Sequence, residues 1–98
     1  METEEKPKEK ELKKVPEGQM MVKVYSPFRD YFDAPAKSIS AVNDTGPFDI
    51  LPGHHKFLTL VNKCELDIRT DDGAAEKIKI DKGIMYVKED RVTVFLDV

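Results

Sequence analysis

The stretch KCELDIRTDDGAAEKIKID, residues 63–81, narrows the possible folds more than any other part of the chain. Cys64, Leu66 and Ile68 alternate with Lys63, Glu65, Asp67 and Arg69, a period of two that gives a strand one apolar face and one charged face. EKIKID repeats the alternation, and Asp71-Asp72-Gly73-Ala74 lies between the two runs. A tight reversal needs a residue that tolerates positive φ, and Asp-Gly supplies it, so the segment predicts a β-hairpin.

The same texture holds from Met20 onward. MMVKVYS alternates and is closed by Pro27; a short extended piece around Tyr31 and Phe32 leads past Pro35 into AKSISAVN, where Ile39 and Ala41 share a face. Asp44-Thr45-Gly46-Pro47 signals a turn, PFDIL a short strand ended by Pro52-Gly53, and KFLTLV a strand with apolar groups on both faces, as expected of one buried between sheets. KGIMYVKE and RVTVFLDV follow, joined at Lys88-Glu89-Asp90. About eight or nine short strands without a convincing helix predict an all-β domain, and periodicity alone leaves a two-sheet sandwich and a barrel both open.

Residues 1–19 differ in kind. They hold six Glu and five Lys among three apolar side chains, too little hydrophobic surface to repay the entropy of ordering. They read as a disordered charged tail; a helix from Glu4 to Lys14 with Glu/Lys pairs is the alternative, limited by Pro7 and Pro16. The remaining residues, 20–98, suffice for one small domain.

Charge and composition exclude several function classes. A net charge of -3, with Lys and Arg interleaved among acids, offers no positive stripe for a phosphate backbone, so nucleic acid is a poor partner. The single cysteine, Cys64, cannot form an internal disulfide, which fits a reducing compartment. No apolar run approaches the roughly 18 residues of a membrane helix.

Candidate chemistry is sparse. His54 and His55 with Cys64 and Asp49 are the available metal ligands, but neighbours on an extended segment point to opposite sides and no Cys-x-x-Cys or His-x3-His pair exists. Cys64 is in phase with Leu66 and Ile68, as a small buried residue would be, and Ser26, Ser38 and Ser40 have no nucleophile elbow around them. The five glycines are isolated, so no phosphate loop is present. No catalytic, cofactor-binding or metal residue is assigned. The aromatic side chains are expected largely in the core, with Phe28, Tyr31 and Phe32 beside Pro27 as a candidate exposed contact patch.

Taken together, VKVYSPFRDYFDA, AKSISAVNDTGPFDILPGHHKFLTLV with its Ile-Leu-Pro-Gly-His string, and the closing IDKGIMYVKEDRVTVFLDV resemble the N-terminal β-sandwich domain of the F-type ATP synthase epsilon subunit, the counterpart of mitochondrial delta. The resemblance implies a two-sheet β-sandwich of about eight to ten short strands. It also implies a non-catalytic central-stalk subunit without cofactor, monomeric when isolated, that binds the gamma subunit and the c-ring and couples ion-driven rotation to ATP synthesis. Its place would be peripheral, on the cytoplasmic face of the inner (plasma) membrane as part of F1. Residue by residue, Ser26, His54 and Thr59 would lie toward gamma, while Asp44, Thr45, Gly46 and Pro47 would face the c-ring. The family's acidic c-ring contact falls on Pro47, so Asp44 or Asp49 is expected to substitute electrostatically.

His55-Lys56 and Lys63-Cys64 depart from the family's usual Ala-Pro and Pro-Gly. The two regulatory C-terminal helices usual in the family would follow Val98, so self-inhibition of hydrolysis is not expected of this chain. The competing class is a stand-alone β-sandwich adaptor or ligand-binding module, which predicts an open groove lined with aromatic side chains.

Overall fold

A computed structural model describes residues 15–96. The helix alternative for Glu4 to Lys14 and most of the proposed tail lie outside the described residues. Nine strands follow in order: β1 (Met20–Tyr25), β2 (Asp30–Ala36), β3 (Ser38–Asn43), β4 (Gly46–Ile50), β5 (Phe57–Val61), β6 (Cys64–Arg69), β7 (Ala75–Ile80), β8 (Gly83–Lys88) and β9 (Arg91–Leu96). They form a five-stranded sheet in the order β2-β1-β9-β8-β5 and a four-stranded sheet in the order β4-β3-β6-β7. The sandwich, rather than the barrel, is therefore the architecture, and no helix occurs among the described residues.

Alternation sets which side chains meet between the sheets. Val22 and Val24 of β1, Met85 and Val87 of β8, and Val92 and Val94 of β9 face Ile39, Leu66 and Ile68 of the smaller sheet, and all are at most 1% exposed. Full burial of each such side chain is worth about 1.5–3 kcal/mol. Cys64 is half-buried against this core, in phase with Leu66 and Ile68 as the sequence indicates.

Two turns show how local chemistry fixes the register. The β6–β7 reversal places Gly73 at φ 87, while the Asp72 carboxylate accepts hydrogen bonds from the Thr70 hydroxyl and the Ala74 N–H. The β8–β9 reversal uses Glu89 and Asp90 at φ 51 and 60, with Lys88 opposite Arg91. This is the mirror-image turn favoured by the sheet's twist, built without glycine. Pro35 is accommodated because β2 is an edge strand, where a missing N–H need not break a ladder.

One expectation is overturned. KFLTLV does not run between the sheets: β5 is the edge of the five-stranded sheet, Leu58 and Leu60 point outward, and they are 66% and 68% exposed. Only Phe57, Thr59 and Val61 face inward. The aromatic patch near Pro27 is also smaller than expected, since Phe28 is exposed while Tyr31 and Phe32 pack against the core.

Candidate docking surface

The outer face of the five-stranded sheet is built from cross-strand rows. Pairing sets Leu60 opposite Ile84, Ile84 opposite Phe95 and Phe95 opposite Tyr25, an apolar row across four strands. The adjacent row runs Leu58, Tyr86, Thr93 and Lys23. Phe95 and Tyr25 meet edge to face at 5.2 Å, and the Lys23 ammonium lies 5.1 Å from the Tyr25 ring centre. Toward β5 no described residue covers the rows: Leu58, Leu60, Ile84 and Tyr86 are the exposed large hydrophobic residues here. A shallow groove of about 360 Å3 opens beside Leu60, Ile84 and Phe95, with Lys82 and Asn62 at its rim. Contiguous apolar surface of this kind marks a contact with another macromolecule far more often than scattered apolar residues do.

The connections sort into two ends of the sandwich. Turns 26–29 and 44–45 and links 62–63 and 81–82 lie at one end, and links 51–56, 70–74 and 89–90 lie at the other. At the first end Asn62 donates to the Asp44 carboxylate at 2.9 Å, Asn43 donates to the Thr59 hydroxyl at 3.1 Å, and the Thr45 N–H returns to the Asn43 amide oxygen at 2.9 Å. These bonds stiffen the turn, which Gly46 enters at φ 118. At the other end Pro52-Gly53 turns the chain, with the His54 N–H on the Leu51 carbonyl.

His54 and His55 do not point apart. The segment between β4 and β5 is not extended, and the two rings stack at 4.4 Å and 22° beside Phe57. The His54 Nδ1 lies 2.8 Å from the His55 carbonyl, which fixes that nitrogen as the protonated one in the bond. Among the described residues no group of three or more His, Cys, Asp or Glu is placed to hold a metal ion. A second cleft, about 660 Å3, is lined by residues that include Arg29, Tyr31, Cys64, Ile78, Lys79 and Leu96; among the described residues it places no histidine or serine beside the Cys64 thiol.

The residues assigned by resemblance are not one cluster. Asp44, Thr45, Gly46 and Pro47 share the first end; Asp49 lies further along β4, exposed and accepting from the Ser40 hydroxyl at 2.6 Å. Ser26 is at the same end, but it is 5% exposed and its hydroxyl accepts the Phe28 N–H at 3.2 Å. Thr59 faces inward onto Asn43. His54 lies at the opposite end, and three strand spacings of about 4.8 Å separate β5 from β1, so Ser26 and His54 stand diagonally across the sheet. Leu58, Leu60, Ile84 and Tyr86 were missed, although the apolar residues on both sides of KFLTLV and the outward Ile84 and Tyr86 of KGIMYVKE carried the signal.

Against known proteins, residues 19–98 match the family model described as ATP synthase, Delta/Epsilon chain, beta-sandwich domain. The chain belongs to this family. An ATP synthase epsilon chain of Trichlorobacter lovleyi is 30% identical over 78 residues, 80% of this chain and 56% of that one. One of Micrococcus luteus is 30% identical over 77 residues, 79% of this chain and 85% of that one. The chain thus spans little more than half the first relative's length.

Among solved structures, a chain of the Euglena gracilis mitochondrial ATP synthase, in an OSCP/F1/c-ring assembly, superposes with a TM-score of 0.77 at 16% identity over 86% of this chain and 53% of that one. A chain of the Tetrahymena thermophila mitochondrial ATP synthase central stalk and c-ring gives 0.69 at 13% identity, covering 87% and 67%. At such identities the structural likeness speaks for the β-sandwich itself.

Proposed function

We propose that the chain is a non-catalytic subunit of the rotor of an F-type ATP synthase, attached to the gamma subunit through the outer face of its five-stranded sheet and turned toward the c-ring at the Asp44-to-Pro47 end. The observation that carries this is the contiguous exposed patch of Leu58, Leu60, Ile84 and Tyr86, drawn from two adjacent rows. Its face is broad and slightly grooved, as a protein contact requires, whereas a carbohydrate-type module needs a deeper aromatic-lined cleft. Family membership and the likeness to chains of central-stalk and c-ring assemblies support the reading.

A subunit that transmits torque must resist deformation. Close-packed sheets supply that stiffness, and the bonds from Asn43 and Asn62 bind the 44–45 turn to the body of the sandwich. Asp44, already held by Asn62, and Asp49 are the carboxylates available near the turn for an electrostatic contact with the c-ring. The subunit would lie at the membrane only through its complex, on the side that carries F1, and no helix among the described residues is long and apolar enough to cross a membrane.

The decisive experiment is pull-down of the full chain with purified gamma and with detergent-solubilised c-ring. Capture by gamma that is lost in a Leu58→Ser/Leu60→Ser variant is expected. Capture by neither partner would refute the rotor reading, and unchanged c-ring association after charge reversal at Asp44 and Asp49 would refute their electrostatic role.

A further inference from the structure

The outward charge on four of the five strands of the apolar face is of one sign. On the four strands β5, β8, β9 and β1 the outward charged positions are Lys88, Arg91 and Lys23, in phase with Tyr86, Phe95 and Tyr25 respectively. Lys82 borders the groove beside Leu60 and Ile84, and Lys56 stands with Lys88 around the concavity at the opposite end of the β5–β8 pair. Lysines therefore flank the exposed leucines at both ends, on a chain whose net charge is -3.

Carboxylates are present nearby but are placed differently. Asp90, bonded to the Gly53 N–H, and Glu89, at the tip of its hairpin, border the Lys56 and Lys88 concavity from the β8–β9 connection; Asp81 lines the other cleft, and Asp30 and Asp33 are exposed on the far edge strand β2, Asp33 opposite Lys23. The outer face of the smaller sheet is mixed in sign, with Asp67 joined to Arg69 at 3.2 Å and to Lys77 at 3.8 Å. The uniform sign is a property of the outward positions of β5, β8, β9 and β1, not of the whole surface.

We infer that this face selects a protein partner whose apolar docking patch is bordered by acidic side chains, and that its lysines reject a second copy of the same face. Like charges brought together around desolvated leucines are repelled, whereas an acidic rim is attracted and its encounter is accelerated. Apolar contact supplies the holding energy and the lysines supply choice of partner and rate. The inference rests on the gamma-docking reading and gives its partner surface a chemistry.

The test measures association of the full chain with purified gamma over a range of salt. The Lys56→Glu/Lys82→Glu/Lys88→Glu variant should associate at least about tenfold more slowly at low salt, with the difference shrinking as salt rises. A control reversing Lys37, Lys77 and Lys79, which changes net charge equally elsewhere, should stay near the parent. These lysines are exposed, so circular dichroism should show all variants folded.

Salt-independent association, unaffected by the triple reversal but abolished by Leu58→Ser/Leu60→Ser, would overturn the charge inference and leave the docking face standing. Indifference to both sets of changes would remove the docking face itself. Leucine-dependent binding to phosphatidylglycerol vesicles, without binding to gamma, would make the occupant a membrane surface and overturn the protein-partner inference. Sedimentation of the parent chain as a dimer that Leu58→Ser/Leu60→Ser dissociates would overturn rejection of a second copy.

Discussion

The Gly53 N–H donates to the Asp90 carboxylate at 2.7 Å, a bond that fastens the Pro-Gly-His turn before β5 to the hairpin between β8 and β9. The two residues are thirty-seven positions apart, and the backbone carbonyl of Asp90 also accepts from the Met21 N–H at 3.0 Å. Asp90 thus joins three segments at one end of the sandwich. Asp90→Ala should cost about 1–2 kcal/mol, combining a lost charge-assisted bond at an exposed site with a poorer fit to positive φ. Asp90→Asn keeps an acceptor oxygen and tolerance of that φ, so it should cost less than about 0.5 kcal/mol. Urea unfolding of both variants checks the contrast, and equal stabilities would remove the bond from the account.

Glu89 occupies the left-handed region at φ 51 with no special tolerance for it. Asparagine adopts this conformation more readily, and the turn type favours it. Glu89→Asn should therefore stabilise the hairpin by about 0.5–1 kcal/mol. The measurement is the midpoint of thermal unfolding, which should rise; a fall would mean that the Glu89 side chain contributes a contact outweighing its backbone strain.

Much of the sandwich was legible because period-two alternation and turn chemistry are local. The strand pair across Asp72-Gly73 follows directly from its residues, and so does the burial of Leu66, Ile68, Val92 and Val94. What was not legible is decided by topology. Apolar residues on both faces describe a strand buried between layers and equally an edge strand with its outer face exposed, and KFLTLV proves to be the second. The join at Lys88-Glu89-Asp90 is legible, but without a glycine nothing announces its left-handed backbone at Glu89 and Asp90. Stacking of His54 on His55 depends on a non-extended loop, which alternation cannot foresee. The resemblance assigns Ser26 and Thr59 to the gamma side, and only pairing and burial reveal that their hydroxyls are occupied within the chain.

Gly83 begins β8 where it crosses β9, paired with Leu96. A Cβ built there would stand 2.7 Å from the Phe95 carbonyl oxygen and 3.1 Å from a Leu96 methyl. The nearer atom is backbone in a paired strand, so it cannot rotate away. Gly83→Ala should separate the strands locally and cost about 1–3 kcal/mol despite alanine's lower unfolded-state entropy. Because Gly83 also borders the groove beside Leu60 and Ile84, the variant should weaken gamma association when it folds. Urea unfolding together with pull-down tests both effects, and undiminished stability would mean that β9 yields at this point without penalty.

Asp72 is held below the ordinary carboxylate range chiefly by the hydrogen bond from the Thr70 hydroxyl, with the Ala74 N–H next. Lowering of the folded-state value means that the ionised carboxylate favours the folded hairpin. Its contribution is complete above the unfolded value of 3.8 and disappears as pH falls through the lower folded value. Asp72→Ala should accordingly be less stable than the parent by a constant margin from neutral pH down to about pH 4, and the margin should close below it. Other carboxylates protonate in both proteins, so the difference between the two unfolding curves isolates this turn. Hydrogen exchange at the Ala74 amide, which donates to Asp72 at 3.0 Å, gives the same comparison at one bond. A margin that persists unchanged to pH 2 would show that side-chain packing, not ionisation, is what Asp72 contributes to the hairpin.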